Sequence, residues 1–295
     1  MRLLHLFSIV VFLVFSHTIA AQGVLQYNLK KDDTFKIYQH ANQLITQDIN
    51  GMIQEVTNDF SGIIQLVVSD TSKNGYIIEM TYLDLKLKMS SNLEGLLMDV
   101  NAKDTIRNSI ETKMFNAMLN HPVVINMAKT GDILSVTKAD KLIDRMLDAT
   151  DIEDEFTLSV MRASLETNYS SDSLSESFKQ MTYFYSGQTI AVNDSWTNTY
   201  TGKLATENIW QLKSWNKEEA SLTASADAIM KTEQMGVSMH LTGQQKTAVT
   251  IDATSGFLNE MTVEGTFNGN SVIALIGDDE IPTTITSKTT FQRIK

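Results

Sequence analysis

Beyond residue 21, three histidines (His40, His121 and His240) are the side chains best suited to proton transfer or metal ligation. They lie far apart, and none sits in the H-x-x-x-H or H-E-x-x-H spacing that puts two imidazoles on one helical face for zinc. His240 follows Met239 on a run whose odd positions are apolar, which turns its ring toward the wet face of a strand. Met235, Met239 and His240 can be imagined around copper, yet a surface histidine beside core-filling methionines accounts for the same residues. His121 precedes Pro122 and reads as a helix-end residue. Cysteine is absent, so thiolate chemistry, disulfides and an acylated-cysteine anchor are excluded.

No nucleophile elbow, Walker loop, dinucleotide fingerprint or calcium loop occurs, and no serine stands in an activating context. Asp151, Glu153, Asp154 and Glu155 read as the charged first turn of a helix, favourable at the positive end of its dipole. Gly277-Asp278-Asp279-Glu280 reads as a solvated turn, with weak cation binding as its alternative. Two-carboxylate hydrolysis needs paired acids in a cleft, which no spacing here specifies. A net charge of −11 argues against phosphate backbones and anionic lipid surfaces as partners. The residues therefore point to no catalytic centre, cofactor, metal or nucleic acid, and to a binding or interaction protein before an enzyme.

The N-terminus carries an address. Met1-Arg2 is basic, Leu3 to Phe15 is apolar but for His5 and Ser8, and Ser16 to Ala21 is short and polar-to-small. That is a secretory signal, with cleavage expected after Ala21 and Ala20 as the alternative. Its apolar run is shorter than the ~20 residues of a bilayer span, and no later run reaches that length. The expectation is residues 1–21 as signal peptide and 22–295 as a single exported α+β domain, periplasmic or secreted.

Three blocks organise that domain. Residues 24–104 read as strands, with Asn50-Gly51 as a hairpin turn. In the strand Tyr76 to Met89, Ile78, Met80 and Tyr82 share one parity and Leu83, Leu85, Leu87 and Met89 the other, so a bulge or face change is expected near Tyr82-Leu83. Residues 105–185 read as mostly helical. Ile106, Ile110, Met114, Phe115, Met118 and Leu119 mark one helix. A short hairpin follows, turning at Thr130-Gly131-Asp132, and Thr137 to Asp140 looks like a capping box before Leu142, Ile143, Met146 and Leu147. Phe156, Val160 and Ala163 mark a further helical face, and Leu174, Phe178, Met181 and Tyr185 the last. Residues 194–295 return to strands: Ala220, Leu222, Ala224, Ala226, Ala228 and Met230 alternate with polar residues, as do Met261, Val263, Gly265 and Phe267. One dry and one wet face mean antiparallel sheet.

These runs exceed the usual strand of roughly 5 or 6 residues. Long one-sided strands twist, and a twisted sheet curls around whatever covers its apolar face. The middle helices are the available cover, so the expected fold is a long, curved, half-barrel-like antiparallel sheet built from both strand blocks around helices inserted mid-chain. Lys31-Asp32-Asp33-Thr34-Phe35 echoes Val192-Asn193-Asp194-Ser195-Trp196, as a duplicated sheet motif or by chance. Trp196, Trp210 and Trp215 gather at the start of the last block, as core or as a binding platform.

Asp194-Ser195-Trp196, together with Val249-Thr250-Ile251-Asp252-Ala253-Thr254-Ser255-Gly256 and the order signal, strands, helices, strands, resembles a family of uncharacterised exported Bacteroidetes proteins. The curved sheet around helices is similar to the lipoprotein-carrier (LolA/LppX-like) superfamily, and that resemblance implies a lipid held between sheet and helices. Fourteen methionines after Met1 fit either a deformable cavity or an irregular core. The leading expectation is a non-catalytic protein holding a hydrophobic, lipid-like small molecule, its pocket lined by Leu142, Met146, Phe178, Met181, Leu222 and Met261. The alternative is an envelope protein that binds another protein and has a fully packed interior.

Overall fold

The computed structural model describes residues 22–295 except 105, 107, 108, 235 and 276. The expected signal peptide and Met235 of the imagined copper set lie outside the described residues. The chain runs β1 (Gln22–Val24), β2 (Thr34–Ile49), β3 (Met52–Thr71), β4 (Gly75–Ser91) and β5 (Gly95–Asn101) before the first helix. The middle holds α1 (Ile110–Met118), β6 (Val123–Ala128), β7 (Ile133–Thr137), α2 (Ala139–Asp148), α3 (Glu155–Tyr169) and α4 (Ser171–Thr182). Strands then resume with β8 (Thr189–Ala191), β9 (Ser195–Tyr200), β10 (Leu204–Trp215) and β11 (Glu219–Gln234). The last three are β12 (Val237–Asp252), β13 (Leu258–Ile273) and β14 (Ile281–Ile294).

Twelve strands form one antiparallel sheet, ordered β7-β6-β4-β3-β2-β14-β13-β12-β11-β10-β9, with β5 paired to β4 beyond β6. The strand blocks join where β2 pairs β14, so the expected curved, unclosed α+β sheet is the one the chain forms. The hairpin at Asn50-Gly51 has both residues at positive φ, 56° and 86°, the type I′ geometry that matches strand twist. The bulge falls where the parity change placed it: Ile63 faces Asp84 while Ile64 faces Tyr82, leaving Leu83 extra. That one residue keeps Tyr82 and Leu85 on the same face of the sheet.

The two echoing segments are built alike. Asp32 and Asn193 both take positive φ, at 71° and 78°. In each turn the following aspartate accepts a backbone N–H three residues back, Lys30 to Asp33 at 2.7 Å and Ala191 to Asp194 at 2.8 Å. Each also clamps the far end of the second strand that follows, Asp32 and Asp33 on Val68 of β3 and Asn193 and Asp194 on Leu212 of β10. The strands leading into them, β1 and β8, pair with each other.

The core fills the end of the sheet where these turns lie. Phe35, Ile37, Ile64, Leu66, Ile78 and Met80 from the first block meet Leu212, Leu222, Val249 and Met261 from the last, beneath α2 and α4. Helix α2 buries Ala139, Leu142, Ile143, Met146 and Leu147, the anticipated face. Three local expectations are corrected. The first helix begins at Ile110, because Ser109 caps it by accepting the Thr112 N–H, and Ile106 stays outside, 92% exposed. No capping box opens α2, since Lys138 sits in the left-handed region at φ 68° and no side chain caps the turn. Helix α3 leaves Phe156 exposed at 76% along with Val160 and Ala163, and packs Leu158, Met161 and Leu165 instead. Its phase follows from Asp154, which accepts the Thr157 N–H at 2.7 Å, and from Arg162 held to Asp144 at 2.6 Å. In the acidic cluster, Asp154 and Glu155 open α3 as expected, whereas Asp151 pairs with Lys113 at 2.8 Å.

The sheet has two free edges, β7 and β9, and α4 packs against both. Thr182 donates to the Gly131 carbonyl at 2.7 Å and Lys179 pairs with Asp132 at 3.0 Å on the β7 side. Toward β9, the Tyr183 carbonyl accepts from Asn198 and Tyr200, and the Phe184 carbonyl from the Trp196 indole. Tyr27, from the segment between β1 and β2, closes this seam by donating to the Thr182 carbonyl at 3.1 Å. Its own carbonyl accepts from Tyr76 at 2.8 Å, and Tyr185 bonds the Gly256 carbonyl nearby.

Gly131, at φ 90°, has no room for a side chain: a Cβ there would lie 1.8 Å from the Thr182 carbonyl oxygen. Gly131→Ala should therefore cost about 3 kcal/mol or more, whereas Gly51→Ala, in open space but also at positive φ, should cost about 1 kcal/mol. Urea midpoints of the two variants test the contrast. Burial raises six of the eight tyrosines, Tyr27, Tyr76, Tyr82 (to about 12), Tyr169, Tyr185 and Tyr200. Above a pH of about 10 the unfolded chain sheds these protons while the native state keeps them, so stability falls as pH rises. Phenolate absorbance of the native protein should then lag that of the urea-unfolded chain.

Candidate functional site

The candidate site lies on the inner face of the sheet, where the packed core thins and Phe60 marks its margin. Register carries the inner parity from Ile37 and Ile64 outward to Gln43 and Ile45 on β2 and to Val56, Asn58 and Phe60 on β3. The bulge at Leu83 brings Leu87 and Met89 onto that face, opposite Phe60 and Asn58. All seven are half-buried, in contrast to the buried Ile64, Leu66 and Met80 of the same strands. A second apolar cluster, Ala228, Leu241, Phe267 and Ile285, lies on the same face with Ile45, Leu204, Met230 and Met239 against it. The Phe267 ring lies over two glycines, so that a Cβ at Gly265 or Gly243 would come within 2.7 or 2.9 Å of it.

Between the two apolar clusters runs a band of uncharged residues. Following cross-strand partners from β9 to β4, it reads Asn198, Asn208, Ala226, Gln245, Gly265, Ser287, Gln43, Asn58 and Met89. Its β9 end is saturated: Asn208 donates to Asn198 at 3.0 Å and to Thr206 at 2.9 Å, and Trp210 donates to Asn198 at 3.0 Å. Its β3 end is not. Asn58 donates to Gln43 at 3.0 Å, while its own buried Oδ1 has no donor among the described residues. A buried acceptor without a donor is costly and marks a place where a ligand or water can supply one. The arrangement offers hydrogen bonds without charge, flanked by apolar walls, and suits an amphiphile rather than an ion.

The six residues anticipated as a lining, Leu142, Met146, Phe178, Met181, Leu222 and Met261, are brought together in the core under the helices, each buried. Leu142 also borders a 230 Å³ surface pocket with His121, Pro122, Lys138, Lys141 and Arg145. Grooves of 540, 480 and 390 Å³ sit on the opposite, outer face of the sheet, and Lys246 borders all three. The polar band escaped the sequence reading because Gln43, Asn58 and Gln245 look like wet-face residues. The signal was their parity, shared with Ile37, Ile64 and Val249.

His40 sits on the outer face at 3.0 Å from Asp59, and His240 is exposed opposite Lys231. Trp210 is buried, and Trp196 and Trp215 pack against the core, with Trp215 over Gly23. Among the described residues, no group of three His, Asp or Glu side chains is placed to hold a metal ion. No described helix is long and apolar enough to cross a membrane, which leaves strands aside.

Fold and site together define an α+β protein with a curved, unclosed sheet and an uncharged polar band inside it. The chain belongs to the family of unknown function DUF6263, which it matches over residues 73–258. No curated protein matches its sequence. In three dimensions it is similar to lipovitellin, in a structure describing lipid–protein interactions, with a TM-score of 0.51 at 10% identity. That likeness covers 91% of this chain, which spans only 26% of the lipovitellin chain. Two weaker overlays are DynF of the dynemicin pathway of Micromonospora chersina and an outer membrane channel of Pseudomonas putida F1. Their TM-scores are 0.26 and 0.27, each at 7% identity, covering 92% and 91% of this chain and 84% and 97% of theirs.

Proposed function

We propose that this is an exported, non-catalytic binding protein that holds an uncharged or weakly polar lipid-like molecule on the inner face of its sheet. The carrying observation is the half-buried apolar strip of Ile45, Val56, Phe60, Leu87 and Met89 beside the donor-less Asn58 oxygen. An acyl chain along the strip removes that apolar surface from water, and a hydroxyl or amide headgroup supplies the missing donor to Asn58. Leu142, Met146, Phe178, Met181, Leu222 and Met261 then form the closed end of the site, where methionine can repack around the chain terminus. The fold shared with lipovitellin supports this reading, since that protein is described through its contacts with lipid.

Native mass spectrometry of protein purified from its own host should find a retained apolar molecule of a few hundred daltons. After delipidation, a fluorescent fatty alcohol should bind, and Phe60→Ser with Leu87→Ser should weaken it about tenfold or more. Asn58→Leu should select against the alcohol relative to an alkane probe. A bare mass in several preparations, with no probe binding, overturns the proposal. Export is tested separately: the protein recovered from the envelope or medium should begin at Gln22, and retention of residues 1–21 refutes a cleaved signal.

A further inference from the structure

The end of the sheet away from the helices is finished in a way its folding does not require. The β4–β5, β2–β3 and β13–β14 tips all point to this end, on the consecutive strands β5-β4-β3-β2-β14-β13. They expose Leu93, Leu96, Leu97, Met52, Ile53 and Leu275, with Leu96 at 58% and Leu275 at 92%. Tight turns need Asn50-Gly51 and Gly95 for their positive φ; no turn geometry calls for Met52-Ile53 or Leu96-Leu97 directly after them. Large apolar side chains gathered at adjacent tips mark a contact surface rather than scattered exposure.

Charge selects the occupant. Residues 47–56, 89–98 and 271–283 contain six carboxylates and no Lys, Arg or His. Two such ends repel each other, and an anionic membrane repels both. A protein segment with an apolar centre and a basic rim satisfies the leucines and the carboxylates at once. From this geometry we infer that the tip end docks an amphipathic, Lys/Arg-rimmed segment of a partner protein, independently of any molecule held inside the sheet.

The probe is a synthetic Leu/Lys amphipathic helix, with its Leu/Glu counterpart, phosphatidylcholine vesicles and sedimentation velocity of the protein alone as the other arms. The full chain should bind the Leu/Lys peptide and ignore the Leu/Glu one. Binding should fall at least tenfold both in Leu96→Ser/Leu97→Ser/Met52→Ser and in Glu94→Gln/Asp278→Asn/Asp279→Asn, all at exposed positions that leave the circular dichroism unchanged. Equal binding by wild type and both variants reduces the effect to overall acidity and overturns the inference. Vesicle binding lost in the leucine variant, without peptide binding, assigns the tips to a lipid surface instead. A dimer lost in that variant assigns them to a second copy.

Discussion

The whole architecture depends on closing a seam. A sheet this long and one-sided must bury its inner face, yet β7 and β9 do not pair, and the gap between them is bridged by α4, by Tyr183 to Tyr185 that follow it, and by the segment carrying Tyr27. At that seam the Thr182 carbonyl accepts from Tyr27, the Thr182 hydroxyl donates to Gly131, and the Tyr183 carbonyl takes Asn198 and Tyr200. The Thr182 bonds are buried and those of Tyr183 half-buried, and losing one partner leaves the other unsatisfied in a largely dry setting. Stacked rings fill the remaining space, with Tyr27 edge-on to Tyr185 at 5.1 Å and Phe35 stacked on Phe257 at 3.9 Å.

The interior follows from where that seam lies. Helices cover the end of the sheet that carries Asp33 and Asp194 and run along β9 as far as Lys203, which bonds Thr167 and Asn168 of α3, so the core is densest there and thins along β2, β3 and β4. The strands outrun their cover, and the inner faces of β2, β3 and β4 are left half-buried. The second apolar cluster around Phe267 avoids that fate because Gly243 and Gly265 let its ring lie flat on the sheet. The polar band separates these regions, its saturated end beside α4 and its unsaturated end at Asn58 on β3. Fold geometry thus places hydrogen-bonding capacity and apolar surface side by side, as holding an amphiphile requires.

Much of this was legible residue by residue. Asn50-Gly51 announced its hairpin because both positions need positive φ, and the parity change at Leu83 announced its bulge because side chains alternate strictly along a strand. The alanine stripe from Ala220 to Ala228 named the dry face of β11, and Leu174, Phe178 and Met181 named that of α4, although Tyr185, expected on the same face, lies past the helix end at Thr182. The errors cluster at helix starts and helix phase. Both Phe156-Val160-Ala163 and Leu158-Met161-Leu165 have helical spacing, and only the contacts around α3 choose between them. Thr137 to Asp140 matched a capping box, but the reversal out of β7 put Lys138 in a left-handed conformation that no capping box adopts.

By itself the sequence determined the order of strands and helices, the dry faces of β4, β11 and β13, and the turns that only Asn, Asp or Gly can make. These are local matters, settled by side-chain period and allowed dihedrals within a few residues. Tertiary structure alone decided that β2 joins β14, that α4 fills the gap between β7 and β9, and that Gln43 and Asn58 belong to the inside. Those depend on tertiary partners, 51 residues apart for Thr182 and Gly131 and at opposite ends of the chain for β2 and β14, and a polar side chain on a strand carries no local mark of what will face it.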